Sequence, residues 1–128
     1  MRFFFDNHLA PKLARGLHEF VRPDHEVVHL KDMFPGGTED ENWMRGLVGE
    51  ANWVIVTADI NIGKNPHEIR AWQEVGHIIV FLKSGWINFS FWTQAYKFTK
   101  CFPAIIDRVL EARAGDSFVV TVNGKMED

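Results

Sequence analysis

A chain of 128 residues with 46% hydrophobic and 13% aromatic content carries enough apolar surface for one compact core, so a single domain over residues 1–128 is expected. The lone cysteine, Cys101, excludes an internal disulfide and a cysteine zinc cluster, and suits a reducing cytoplasm; neither a signal-peptide core nor the roughly 20 apolar residues of a membrane span is expected. The net charge of −3 departs from the Lys- and Arg-rich balance of proteins that grip nucleic-acid phosphates, so a role on nucleic acid requires acids gathered at a metal or a substrate delivered by a partner.

Residues 2 to 5, Arg-Phe-Phe-Phe, form a short bulky run that stops at Asp6-Asn7. This predicts a strand buried on both faces of a parallel sheet, with Asp6 at its carboxyl edge. From Pro11 to Phe20, Leu13, Leu17 and Phe20 recur at helical spacing and Pro11 suits the first turn, giving a first helix. Arg22-Pro23-Asp24 turns the chain into a second strand at His25 to Leu30, and Pro35-Gly36-Gly37 forms a loop. Thr38 with Glu41 makes a capping box for a helix reaching about Glu50. The β-branched run Trp53 to Thr57 predicts a central strand ending at Ala58-Asp59. Asn65-Pro66 opens a helix through Glu74 that Gly76 closes, and His77 to Leu82 is a fourth strand. Ser90 to Ala112 reads as one long or broken helix with Pro103 at the expected break, and Phe118 to Val122 with the Asn123-Gly124 turn supplies the last strand. Strands alternating with helices imply parallel pairing and helices on both faces, a three-layer α/β/α sandwich around a mainly parallel sheet.

Ligands of such sheets bind beyond the carboxyl ends of the strands, where Asp6 and Asp59 are expected. Asp40 and Glu41, from the acidic start of the second expected helix, can converge on the same edge. Clustered carboxylates repel one another unless a cation lies between them, and Mg²⁺ takes one or two carboxylates while keeping waters and substrate phosphate in its shell. Each acid has a plainer reading as well. Asp6 or Asp59 can be a turn residue or helix N-cap, Glu41 fits its capping box, and Glu39 and Asp40 both suit the helix dipole.

The run Phe3-Phe4-Phe5-Asp6-Asn7-His8-Leu9-Ala10-Pro11-Lys12-Leu13-Ala14 resembles the opening of PIN-like domains. Asp40-Glu41-Asn42-Trp43-Met44 and Trp53-Val54-Ile55-Val56-Thr57-Ala58-Asp59 resemble the acidic helix and the strand ending in Thr-x-Asp of the same superfamily. Lys64-Asn65-Pro66-His67-Glu68 and Ile79-Val80-Phe81-Leu82 are similar to the next helix and strand in its VapC-type subgroup. The resemblance implies a ribonuclease dependent on Mg²⁺ or Mn²⁺, in many relatives the toxin held by an antitoxin protein. Asp6, Asp40 and Asp59 would then be the catalytic and metal-binding carboxylates. Asn7, Glu41, Thr57 and Asn61 would support them, with Thr57 orienting an acid or a water. Many PIN domains carry a further acid two residues after the Asp59 position; this chain has Asn61, whose neutral oxygen weakens metal binding or favours a single ion.

Lys12, Arg15, Lys64 and Arg70 are candidate contacts to an RNA backbone, with solvation as their default role. His8 is a candidate phosphate contact or proton donor, or a structural histidine. Trp86, Phe89, Phe91, Trp92 and Tyr96 form an aromatic-rich segment suited to core packing, a homodimer contact, an antitoxin or base stacking. Two other functions compete: a PIN-like binding module weakened in catalysis, which Asn61 favours, and a receiver-type phosphoacceptor, which Lys83 invites. The receiver reading lacks a strand between Asp59 and Lys83 for its hydroxyl residue.

Overall fold

Uninterrupted apolar runs become central strands because both faces of a parallel sheet are covered. The computed structural model describes residues 1–34, 53–58 and 66–128. In chain order these form β1 (Arg2–Phe5), α1 (Pro11–Val21), β2 (Glu26–His29), the single turn α2 (Leu30–Met33), β3 (Val54–Thr57), α3 (Pro66–Val75), β4 (Ile78–Leu82), a 3₁₀ segment (Ser84–Asn88), α4 (Phe91–Leu110), β5 (Ser117–Val120) and β6 (Met126–Glu127). The expected helix from Thr38 to Glu50 lies outside the described residues, as do Asp40, Glu41, Asp59, Asn61 and Lys64.

The six strands form one sheet in the order β2-β1-β3-β4-β5-β6, parallel throughout except for the antiparallel β5–β6 pair. Phe4 pairs with Val28 on one side and Ile55 on the other, which makes the Phe-Phe-Phe run an interior strand of the sheet. Alternation along the strands divides the core between the two faces. Phe3, Phe5, Val54, Val56 and Val80 face α1 and α4, packing with Leu13, Leu17, Phe98, Phe102 and Ile105. Phe4, Ile55 and Ile79 face the other way and pack with Trp53 and with Leu30 of α2. Helical segments therefore cover both faces, as the alternation of elements predicts.

Several boundaries differ from expectation. Leu30 opens α2 instead of ending β2, because the His29 ring caps that turn by accepting from the Lys31 amide at 3.0 Å. Pro103 does not break α4, which continues from Phe91 to Leu110. Its inward stripe of Gln94, Phe98, Phe102, Ile105 and Val109 is buried at helical spacing, while Pro103 faces solvent, where water can serve the carbonyl that the ring leaves unbonded. The last expected strand ends at Val120, and the Asn123-Gly124 turn leads into β6, which the sequence reading did not anticipate. Gly76 does close α3, in a left-handed conformation (φ 78°) that favours glycine. No helix among the described residues is long and apolar enough to cross a membrane.

Candidate functional site

The chain leaves β1 for β2 on one side and returns to β3 on the other, so the sheet order reverses between β1 and β3. Helical connections diverge at such a point and leave a crevice beyond the strand ends. Asp6 stands there, directly after β1, and its amide donates to the Val56 carbonyl at 3.2 Å, which locks it to β3.

The Asp6 residue is only 4% exposed. A carboxylate so buried requires donors, since removal from water costs far more than an ordinary hydrogen bond returns. Thr57 at the end of β3 provides one, its Oγ1 donating to Asp6 Oδ2. The His8 amide donates to Oδ1 at 3.0 Å, closing a tight turn, and His8 Nδ1 lies 3.5 Å from Oδ2 with its ring half open to solvent. Asn7 is exposed beside it.

A second group secures this turn. The Leu9 amide donates to the Asp6 carbonyl at 3.2 Å, and the buried His29 ring, at the end of β2, contacts the Leu9 carbonyl through Nε2 at 2.6 Å. Because Nδ1 accepts from the Lys31 amide, the ring proton sits on Nε2 and is donated to Leu9. His29 thus clamps the segment carrying Asp6 to the neighbouring strand. The expected second strand, His25 to Leu30, contains His29 and gives it no role beyond the strand. Its position at the end of a strand flanking that of Asp6 was the available signal, but the bond to Leu9 spans distant residues.

The candidate cations have different surroundings. Lys12, in the first turn of α1, holds its ammonium 4.0 Å from the centre of the Phe91 ring. Arg15 forms a two-pronged pair with Asp32, at 2.8 and 3.4 Å, which directs its guanidinium to a neighbour within the fold. That hydrogen-bonded pair holds the Asp32 carboxyl below its ordinary range and raises Arg15. Arg70 is exposed on α3. Lys83 follows β4 and pairs with Glu127 of β6 at 3.4 Å, so its charge is engaged on the far side of the sheet from β1.

Among the described residues no group of three His, Cys, Asp or Glu side chains could hold a metal ion. Asp6 provides one hard oxygen donor at the crevice, free of thiol partners, and this donor chemistry fits Mg²⁺ or Mn²⁺ better than a softer ion. Asp59, the other strand-end acid, is the residue after Ala58 in sequence and, like Asp40, belongs to the undescribed segments.

No curated protein and no solved structure matches the chain. A family profile described as PIN like domain matches residues 1–84, a span that begins with the Phe-Phe-Phe-Asp strand and takes in Asp40, Thr57 and Asp59. With the match covering 84 of 128 residues and an α/β sheet that sets Asp6 at its switch point, the chain belongs to the PIN-like domain family.

Proposed function

We propose that this protein is a metal-dependent ribonuclease that hydrolyses RNA phosphodiester bonds. The observation that carries the reading is the Asp6 carboxylate, buried at the switch point and fixed by Thr57. Asp6, Asp40 and Asp59 would hold Mg²⁺ or Mn²⁺, with Asn61 offering a neutral oxygen. A bound ion there would activate water and stabilise charge developing on the phosphoryl oxygens. Thr57 fixes the rotamer of Asp6, and the His29 clamp on Leu9 fixes the turn behind it, so the carboxylate needs little reorganisation to receive a cation. RNA as substrate, and a toxin's role restrained by an antitoxin, draw their support from the VapC-like motifs.

A binding module without catalysis is favoured by two features: Asn61 stands where many PIN domains carry an acid, and the Asp6 oxygens already accept hydrogen bonds from Thr57 and the His8 amide. Metal titration separates the two readings. For the nuclease, Mn²⁺ raises the thermal midpoint and supports cleavage of a mixed RNA pool, and Asp6→Asn abolishes both effects. A native protein that neither gains stability from Mn²⁺ nor cuts the pool is the binding module.

A further inference from the structure

Helix α4 turns an unusual outer face to solvent. Trp92 is 80% exposed and Tyr96 64% exposed, although large aromatics generally seek burial. Together with Lys100 they occupy positions i, i+4 and i+8, which line up along one side of a helix. The Lys100 ammonium lies 6.0 Å from the Tyr96 ring centre. Behind this row, against the β5–β6 turn, is an open cavity of about 460 Å³ whose lining includes Tyr96, Lys97, Lys100 and Asn123.

The charge around this face is as distinctive as its rings. The chain carries a net charge of −3, yet no Asp or Glu occurs between Glu74 and Asp107; of the lysines in that stretch, Lys83 pairs with Glu127 and Lys97 donates to the Val122 carbonyl at 3.2 Å, while Lys100 is exposed beside Tyr96. The exposed row also leads back to the candidate site. Phe91, in edge contact with Trp92 at 5.6 Å, is the ring over which Lys12 lies, and Lys12 belongs to the helix that follows the Asp6 turn.

We propose that the Trp92–Tyr96–Lys100 face is a docking platform for single-stranded RNA, along which the strand runs away from Asp6. Bases stack on the Trp92 and Tyr96 rings, and backbone phosphates meet Lys12 and Lys100. A single strand presents π-faces and negative charges in turn, which match the exposed Trp92 and Tyr96 rings flanked by Lys12 and Lys100, on a stretch of sequence without carboxylates. Every base has a π-face, so the platform grips RNA without reading sequence. A second copy of this chain would gain from the aromatics but not from the absence of carboxylates to answer the lysines. The inference rests on RNA being the substrate and extends that reading to how the substrate is held.

The test measures binding of a short fluorescein-labelled single-stranded RNA of mixed sequence by anisotropy in EDTA, where no cleavage occurs. The native protein binds, and the double variant Trp92→Ala/Tyr96→Ala, unchanged in circular dichroism because both rings are exposed, binds about tenfold more weakly or worse. Lys100→Gln lowers the slope of log affinity against log salt by about 0.7, the contribution of one phosphate contact to a single strand. Equal affinity of native and double-variant proteins overturns the proposal, as does absence of binding by the native protein. Native dimers that the double variant splits to monomers, in sedimentation, would instead make this face an interface between copies. Aromatic-dependent binding without Mn²⁺-dependent cleavage upholds the platform and defeats the nuclease. Cleavage with kcat/KM unchanged in the double variant does the reverse.

Discussion

Thr57 and Asp6 are distant in sequence and joined by a hydrogen bond from a hydroxyl to a buried carboxylate. Thr57→Val keeps the shape and removes the donor, leaving Oδ2 short of a partner in a site nearly closed to water. The expected loss is about 1–3 kcal/mol of unfolding free energy in urea titration, since bonds to charged acceptors lie at the strong end of the range. Thr57→Ser, which retains the hydroxyl, should recover most of it. Cys101 offers a second check. Burial pushes its thiol up to about 11 from an ordinary value of 9.0, so the folded protein resists forming thiolate. Iodoacetamide should modify it slowly at neutral pH, with a rate that keeps rising until about pH 11; levelling off near 9.0 would contradict the burial. The sign for stability follows: the unfolded thiol ionises first, so its contribution is intact below 9.0 and is lost as pH rises towards 11. Asp6 was legible as a candidate because an apolar strand stops at it. The His29 clamp was not, because it depends on which strand lies beside which.

Among elements, continuous apolar runs announced β1, β3 and β4, and the gain from covering both faces makes such runs hard to place elsewhere. Local signals misled where tertiary packing had the larger stake. Pro103 is the clearest case: the inward stripe from Gln94 to Val109 buries more than one lost backbone bond can oppose, so α4 passes through it. Replacing Pro103 with Ala should restore the bond to Thr99 and raise stability by about 1–3 kcal/mol in denaturant titration, partly offset by a freer unfolded chain. A loss of stability would show that the ring is needed for packing. The two-residue β6 is too short to generate an alternating pattern, and the 3₁₀ segment owes its position to Trp86, whose indole nitrogen donates to the Thr121 carbonyl at 2.9 Å. Neither leaves a periodic trace in the sequence.

Across the whole molecule, net charge proved a poor guide to local surface. Acidic and basic residues are unevenly distributed, and the carboxylate-free stretch before Asp107 has a character that the total conceals. Family membership and folding unit also differ in extent. The profile match ends at residue 84, yet the face of the sheet formed by Phe3 and Phe5 is closed by residues beyond it. Phe3 stacks edge-on with Phe102 at 5.0 Å, Phe5 with Phe98 at 5.3 Å, and Val80 pairs in the sheet with Phe118. A cut after the recognised segment would strip α4 from the most aromatic strand of the protein and leave α1 alone over that face. What identifies the chain and what keeps it folded are thus written in different stretches of sequence, and a fragment chosen by the first would fail by the second.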